Sequence, residues 1–259
     1  MSARQLEGRG PLAAALGAAV DWLVEPAAAA PEAPPAEVVI EQLDERPVVA
    51  VVGVRPRCGA TVVARALAAE LATRDPGGAA AVTAPHTGGG SVPLGLPAAA
   101  RLARTLAPVS GGTSRACGRL CLVPAADAVR LADATRYLAP LVLDVSDPQE
   151  APAAAAVAGA VVLVGGRGVE PALAELVAES LARVGPEPVI AWSRDSGEQR
   201  ARQAVHLPDA RMGARLALAG REPRGDLGRA IQRLTDLCAK PLGERSAPQA
   251  SWKTTDAAR

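Results

Sequence analysis

The stretch from Val48 to Val63, VVAVVGVRPRCGATVV, is where residue types and spacing suit chemistry. The chemistry is the holding of a phosphate. An apolar β-branched run, Val48 to Val52, reaches a turn at Gly53. Gly59 and the hydroxyl residue Thr61 follow, and a helical pattern runs on from Val62. A strand, a glycine-bearing turn and a helix N-terminus together aim unpaired backbone N–H groups at an anion. In this loop those donors are the N–H groups of Cys58 and Gly59 and the helix start at Thr61, with Arg55 and Arg57 nearby as charge. One component is missing. Ala60 stands before the hydroxyl residue, where such loops carry a lysine. The only lysines are Lys240 and Lys253, so no shift of register restores it.

Alternating strands and helices must position this loop. Apolar runs read as strands at Pro47–Gly53, Ala79–Thr83, Arg119–Val123, Leu141–Val145, Ala160–Val164 and Val189–Trp192. Helical patterns fill the gaps at Thr61–Ala72, Ala98–Leu106, Ala125–Leu138, Ala151–Val157, Pro171–Val184 and Asp226–Ala239. Strands that are apolar throughout imply a sheet covered on both faces. Strand–helix alternation implies parallel crossovers. The expected fold is therefore α/β, a doubly wound and mostly parallel sheet. Its ligands sit beyond the carboxyl ends of the strands, where Gly53 to Thr61 lies. Residues 38–240 are expected to form this domain. A short amphipathic helix precedes it within residues 1–24, with Leu12, Leu16, Val20 and Leu23 at helical spacing. An Ala/Pro-rich acidic linker spans 25–37. The polar, aperiodic residues 241–259 read as a disordered tail.

Charge is uneven along the chain, although the net is only +1. From Asp21 to Glu45 there are seven acids and no base, and from Arg194 to Lys240 ten bases face six acids. Arg211, Arg215, Arg221, Arg224, Arg229 and Arg233 make the second stretch a candidate patch for DNA or another anion. The plainer alternative pairs these arginines with Glu222, Asp226 and Asp236 on a solvated face. The four cysteines have no CxxC pair and no zinc spacing with His86 or His206, which fits a reducing compartment. Cys117 and Cys121 read as sharing one strand face. Cys58, beside Arg57 at a helix start, is a candidate reactive thiol or a small filler of the loop. The apolar stretch after Arg4 and Arg9 is cut short by Asp21 and is not read as a signal peptide, and no run is suited to span a bilayer. The expected location is the cytoplasm.

The order of features resembles the ParA/MinD family of deviant P-loop ATPases, which position DNA, division machinery or secretion complexes. The family loop KGGxGKTT aligns with RPRCGATV at 55–62, so Arg55 falls on the signature lysine, Gly59 and Thr61 match, and Ala60 replaces the phosphate lysine. LVLDVSDP at 141–148 is similar to the strand ending in Asp-Thr-Pro-Pro, which puts Asp144 in the metal-side position. VIAWSR at 189–194 is similar to the late strand whose Asn reads the base, with Ser193 in that place. HLPDARMGARLALAGREP at 206–223 resembles the Ile-Pro-Asp segment and its following helix. The resemblance implies a P-loop NTPase-like fold, ATP with Mg²⁺ held by Thr61 and Asp144, a protein partner, a face-to-face homodimer and non-specific DNA binding. Three departures oppose a working site. Ala60 lacks the lysine's charge, Ser193 replaces the base-reading Asn, and the second strand carries no acid from Gly77 to Pro93.

Three functions follow as alternatives. The first is a degenerate ParA/MinD-like protein with weak or no hydrolysis, acting as a regulatory or scaffolding partner in positioning, division or secretion. In that case ATP and Mg²⁺ bind weakly or not at all. The second is an active switch ATPase that uses Arg55 in place of lysine. The third is an anion- or small-molecule-binding α/β module.

Overall fold

The computed structural model describes residues 45–84, 94–124, 127–193 and 204–239. The expected N-terminal helix, the linker, the tail and His86 lie outside the described residues. Within them the order is β1 (Val48–Gly53), α1 (Ala60–Arg74), β2 (Ala80–Ala84), α2 (Pro97–Leu106), β3 (Arg115–Cys117), β4 (Leu120–Pro124), α3 (Ala128–Thr135), β5 (Leu141–Val145), α4 (Ala151–Val157), β6 (Ala160–Gly165), α5 (Pro171–Ala182), β7 (Val189–Ser193), β8 (Val205–Leu207), α6 (Arg211–Leu218) and α7 (Gly225–Ala239).

The strands form one sheet in the order β3-β4-β2-β5-β1-β6-β7-β8. Every neighbouring pair is parallel except the edge hairpin β3–β4. The fold is the expected doubly wound α/β sheet. Alternate residues of each strand serve opposite faces. Val49 and Val51 pack under α1, with Leu227, Ile231 and Leu234 of α7 in the same core. Ala50, Leu141, Leu143 and Leu163 pack with Leu102 of α2, Leu131 of α3 and Leu181 of α5 on the other face.

Alanine makes the sheet's close cover possible. In α1, Ala64, Ala66, Ala68, Ala69 and Ala72 are all fully buried, so the helix backbone lies near the strands. Each large aliphatic side chain that is added, such as Leu67, contributes about 1.5–3 kcal/mol of burial. Trp192 is the largest fully or nearly fully buried side chain, and its ring lies against Gly165, where a Cβ would meet Cζ3 at 2.5 Å. Local signals set the ends of the helices. Asp127 caps α3 by accepting from the N–H groups of Val129 and Arg130, and Pro171 sits in the first turn of α5.

The edge hairpin corrects one expectation. Cys117 lies on β3 and Cys121 on β4, with Cys117 opposite Leu120 and Cys121 opposite Ala116. The two thiols therefore enter opposite cores rather than one face. All four cysteines are buried free thiols, and burial pushes the Cys121 thiol up to about 12. The hairpin is clamped to the segment after α6. The Arg119 N–H donates to the Gly220 carbonyl at 2.9 Å, and any Cβ on Gly220 would overlap the Cys117 carbonyl. No helix among the described residues is long and apolar enough to cross a membrane.

Candidate phosphate and cation site

The central strand places the loop. β1 pairs with β5 on one side, Val51 opposite Asp144, and with β6 on the other, Gly53 opposite Val164. The segment after Gly53 is thus held between the carboxyl ends of both neighbours. The Val54 N–H donates to the Val164 carbonyl at 3.0 Å. The Cys58 N–H donates to the Arg55 carbonyl at 3.3 Å and closes the turn, so this expected cradle donor already has an internal acceptor.

The helix start supplies the remaining donors. Gly59 is the N-cap of α1 with φ 97° and offers no side-chain cap. The first intrahelical bond runs from the Val63 N–H to the Gly59 carbonyl at 3.1 Å. The N–H groups of Ala60, Thr61 and Val62 therefore precede the helical ladder. They open on a cleft of about 460 Å³ whose walls include Gly53, Arg57, Thr61, Asp144 and Ser146.

Asp144 is the unusual group in this cleft. It is 6% exposed, and neither carboxylate oxygen has a hydrogen-bond partner. Burial pushes its carboxyl above the ordinary value, against the opposing pull of the nearby Thr61 hydroxyl and the charge of Arg65. Its backbone is fixed from β2. The Asp144 N–H donates to Thr83 Oγ1 at 2.7 Å, and the Thr83 hydroxyl reaches the Asp144 carbonyl at 3.5 Å. A buried carboxylate with no well-formed hydrogen bond, only the approach of the Thr61 hydroxyl, is costly unless a cation meets it. Asp144 and Thr61 suit Mg²⁺, which binds through one or two protein oxygens plus water and phosphate. No cluster of three or more His, Cys, Asp or Glu side chains suited to a metal occurs among the described residues.

The two arginines behave differently from a loop lysine. Arg55 Nη1 donates to the Gly168 carbonyl at 2.7 Å, which fastens its guanidinium to the turn after β6. Arg57 has φ 64°, the one positive φ at a non-glycine residue among those described. It falls where the resembling loop has glycine, and its φ is one that glycine adopts freely. A left-handed residue with a Cβ costs about 1–2 kcal/mol, and glycine's extra unfolded-state freedom returns about 0.5–1 kcal/mol of that. Arg57→Gly is therefore expected to raise stability by about 0.5–1 kcal/mol. Urea unfolding reads this directly, and a lower midpoint for the variant would refute the strain.

Cys58 points inward. Its side chain is 7% exposed and fills the space between Gly53 and Gly166, where an added Cβ would come within 2.9 Å and 3.3 Å of it. That placement supports packing rather than an exposed nucleophile.

Ser193 adjoins the same loop. A Cβ on Gly59 would lie 2.9 Å from Ser193 Oγ. The two residues share a second pocket of about 240 Å³ with Leu207, Pro208, Arg211 and Arg215. Gly59 and Val62 wall both spaces, so the cleft and the pocket adjoin.

The arginine patch is divided. Arg211 and Arg215 line this second pocket, while Arg221, Arg224 and Arg229 line a different groove. Arg233 is exposed on α7. Of the three acids expected to pair with the patch, only Asp226 does so, with Arg229. Glu222 pairs with Arg119 at 3.3 Å and Asp236 with Arg74 at 2.6 Å. Thr83, Arg65 and Gly168 escaped the sequence reading. Thr83 alone carried a signal, as a hydroxyl within an otherwise apolar strand.

These features define a class: the fold is that of ParA/MinD P-loop NTPases. An ATP complex of a McdA variant from Cyanothece superposes with a TM-score of 0.51 at 12% identity, over 80% of this chain and 100% of that one. MinD in the MinC:MinD cell division protein complex of Aquifex aeolicus matches with a TM-score of 0.50 at 13% identity, over 78% and 98%. A ParA family ATPase from Chlorobium tepidum has a TM-score of 0.49 at 12% identity, over 73% and 98%. At such identities the likeness is one of fold. No protein-family model and no curated protein matches the sequence.

Proposed function

We propose that this chain is a degenerate ParA/MinD-like protein of the cytoplasm. It holds a Mg²⁺-nucleotide weakly, turns it over little or not at all, and serves as a regulatory or scaffolding partner in a positioning, division or secretion system. The unpaired Asp144 carboxylate, buried in a cleft that also receives the start of α1, carries this reading.

The fit to nucleotide is partial. The N–H groups of Ala60, Thr61 and Val62 suit a phosphate, Thr61 and Asp144 suit its cation, and the adjoining pocket beside Ser193 has room for a base. Bound Mg²⁺ would supply the positive charge that the buried carboxylate needs. What fails is the fixed charge at the terminal phosphates. Ala60 has none, and Arg55 is engaged by Gly168. In phosphoryl transfer such charge is a large share of catalysis. β2 contributes no acid to orient water. The McdA relative is an ATP complex and the MinD relative is a complex with MinC. Both precedents favour a nucleotide and a protein partner here. A homodimer across the nucleotide would require Arg55 to leave Gly168 if it is to act across the interface.

Calorimetric titration with ATP, ADP and GTP in Mg²⁺, alongside light scattering and phosphate release, tests the proposal. The expected result is Mg²⁺-dependent binding weaker than about 10 µM, with no change of mass and only trace release. Tight binding with dimerisation and steady release would instead establish the active switch. No heat at millimolar nucleotide would remove the ligand from the proposal.

A further inference from the structure

The groove that receives Arg221, Arg224 and Arg229 lies away from the nucleotide cleft. It has a volume of about 500 Å³ and is bounded by the turn after β3, the α6–α7 connection, the first turns of α7 and the residues before α2. Gly118 and Arg119 place it at the amino end of β4, whereas the phosphate loop follows the carboxyl end of β1. The two sites occupy opposite edges of the sheet.

The walls of the groove combine two chemistries. Arg119, Arg221, Arg224 and Arg229 face Glu222 as the one acid in the lining. Arg119 is engaged by Glu222 and Arg229 by Asp226. Arg221 and Arg224 make no ion pair among the described residues. Glu222 is occupied a second time, since it accepts from the Thr73 hydroxyl. The first turn of α7 adds the positive end of a 15-residue helix, open at Gly225, while Gly228 packs against the Pro223 carbonyl and Asp226 is taken up by Arg229. The other chemistry is apolar. Leu94 is 95% exposed and Leu96 44% exposed at the same groove. Two neighbouring leucines offered to water beside free guanidinium groups match a ligand that carries acids and an aliphatic side chain together.

We propose that this groove is a docking site for an acidic, leucine-bearing peptide segment of a protein partner. Arg221 and Arg224 receive its carboxylates, and Leu94 and Leu96 cover its aliphatic residue. A nucleic-acid backbone would satisfy the arginines but would leave both leucines in water. The assignment gives the scaffolding reading a partner chemistry, and it does not depend on nucleotide, because the cleft is at the other edge.

The test is fluorescence anisotropy of the full chain with a labelled synthetic peptide of sequence ELEELEDE. Companion probes are the same peptide with serine for leucine and a 20-base-pair DNA duplex. The native chain is expected to bind the leucine peptide at low salt. Arg221→Glu with Arg224→Glu is expected to weaken binding about tenfold or more, because exposed like charges now face each other. The serine peptide is expected to bind about fivefold more weakly than the leucine peptide. A thermal melt of the double variant separates lost binding from lost folding. Equal affinity for native and double variant, or equal affinity for leucine and serine peptides, would overturn the proposal. Tighter arginine-dependent binding of the duplex would reassign the groove to nucleic acid. Nucleotide titration is read independently, so failure of the native chain to bind the leucine peptide, with nucleotide binding intact, sinks this inference alone.

Discussion

Ala60→Lys is expected to raise the affinity for Mg²⁺-ATP by about two orders of magnitude. Residue 60 is the first of α1 and lines the cleft beside Thr61. A lysine there would add a compact charge at the phosphates, where the native chain offers only backbone N–H groups. One well-placed charge-assisted contact of this kind is worth about 3–4 kcal/mol, equivalent to two or more decades. The gain should be larger for ATP than for ADP, since loop lysines reach the β- and γ-phosphates. Hydrolysis should stay low in the variant, because β2 still carries no acid and Arg55 still answers to Gly168. Calorimetry of the two chains with both nucleotides checks this. Affinities within a factor of about two would mean that the loop does not cradle terminal phosphates.

Asp144→Asn is expected to stabilise the ligand-free chain by about 1–3 kcal/mol near neutral pH, because a neutral amide costs less to bury in this cleft than a carboxylate charge. Burial raises the Asp144 carboxyl above its ordinary value of 3.8 in the folded chain. The folded state therefore holds this proton more firmly than the unfolded state does. The penalty is absent below 3.8 and grows as pH rises through the raised folded value, so native stability falls across that window. The asparagine variant should lack this decline. It should also lose any thermal shift produced by Mg²⁺ with nucleotide. Urea midpoints measured from acid to neutral pH give the answer, and a variant less stable than the native chain at neutral pH would show that the carboxylate has a structural partner.

How far the fold was legible depends on strand length and burial. The six long apolar runs all form strands within a residue or two of their expected bounds, because a strand buried on both faces needs an unbroken apolar sequence. The two three-residue strands did not stand out. Arg115–Cys117 begins with an arginine on an antiparallel edge, and Val205–Leu207 is interrupted by His206. Edge strands of that length are stabilised by neighbours rather than by their own pattern. The same omission put Cys117 and Cys121 on one strand. That Thr61 and Asp144 would meet in one cleft was legible through motif order. The Arg55 contact was not, since its acceptor lies 113 residues away and is a backbone carbonyl that no side-chain pattern marks. Nor was Arg57's conformation, because a positive φ at a residue other than glycine or asparagine runs against local preference and is imposed by the rest of the loop.

The central place of β1 has a consequence during synthesis. This strand is made before any of its partners, yet it pairs only with β5 and β6, which begin roughly ninety residues later or more. At about 5–20 residues per second, the ribosome leaves Val48 to Val52 without either partner for about 5–20 s. A bare VVAVV segment is strand-forming, uncharged and free of proline, the profile of a sequence that joins other nascent chains. Yield in the cell should therefore depend on a chaperone that shelters the amino-terminal strand until the second half of the sheet arrives.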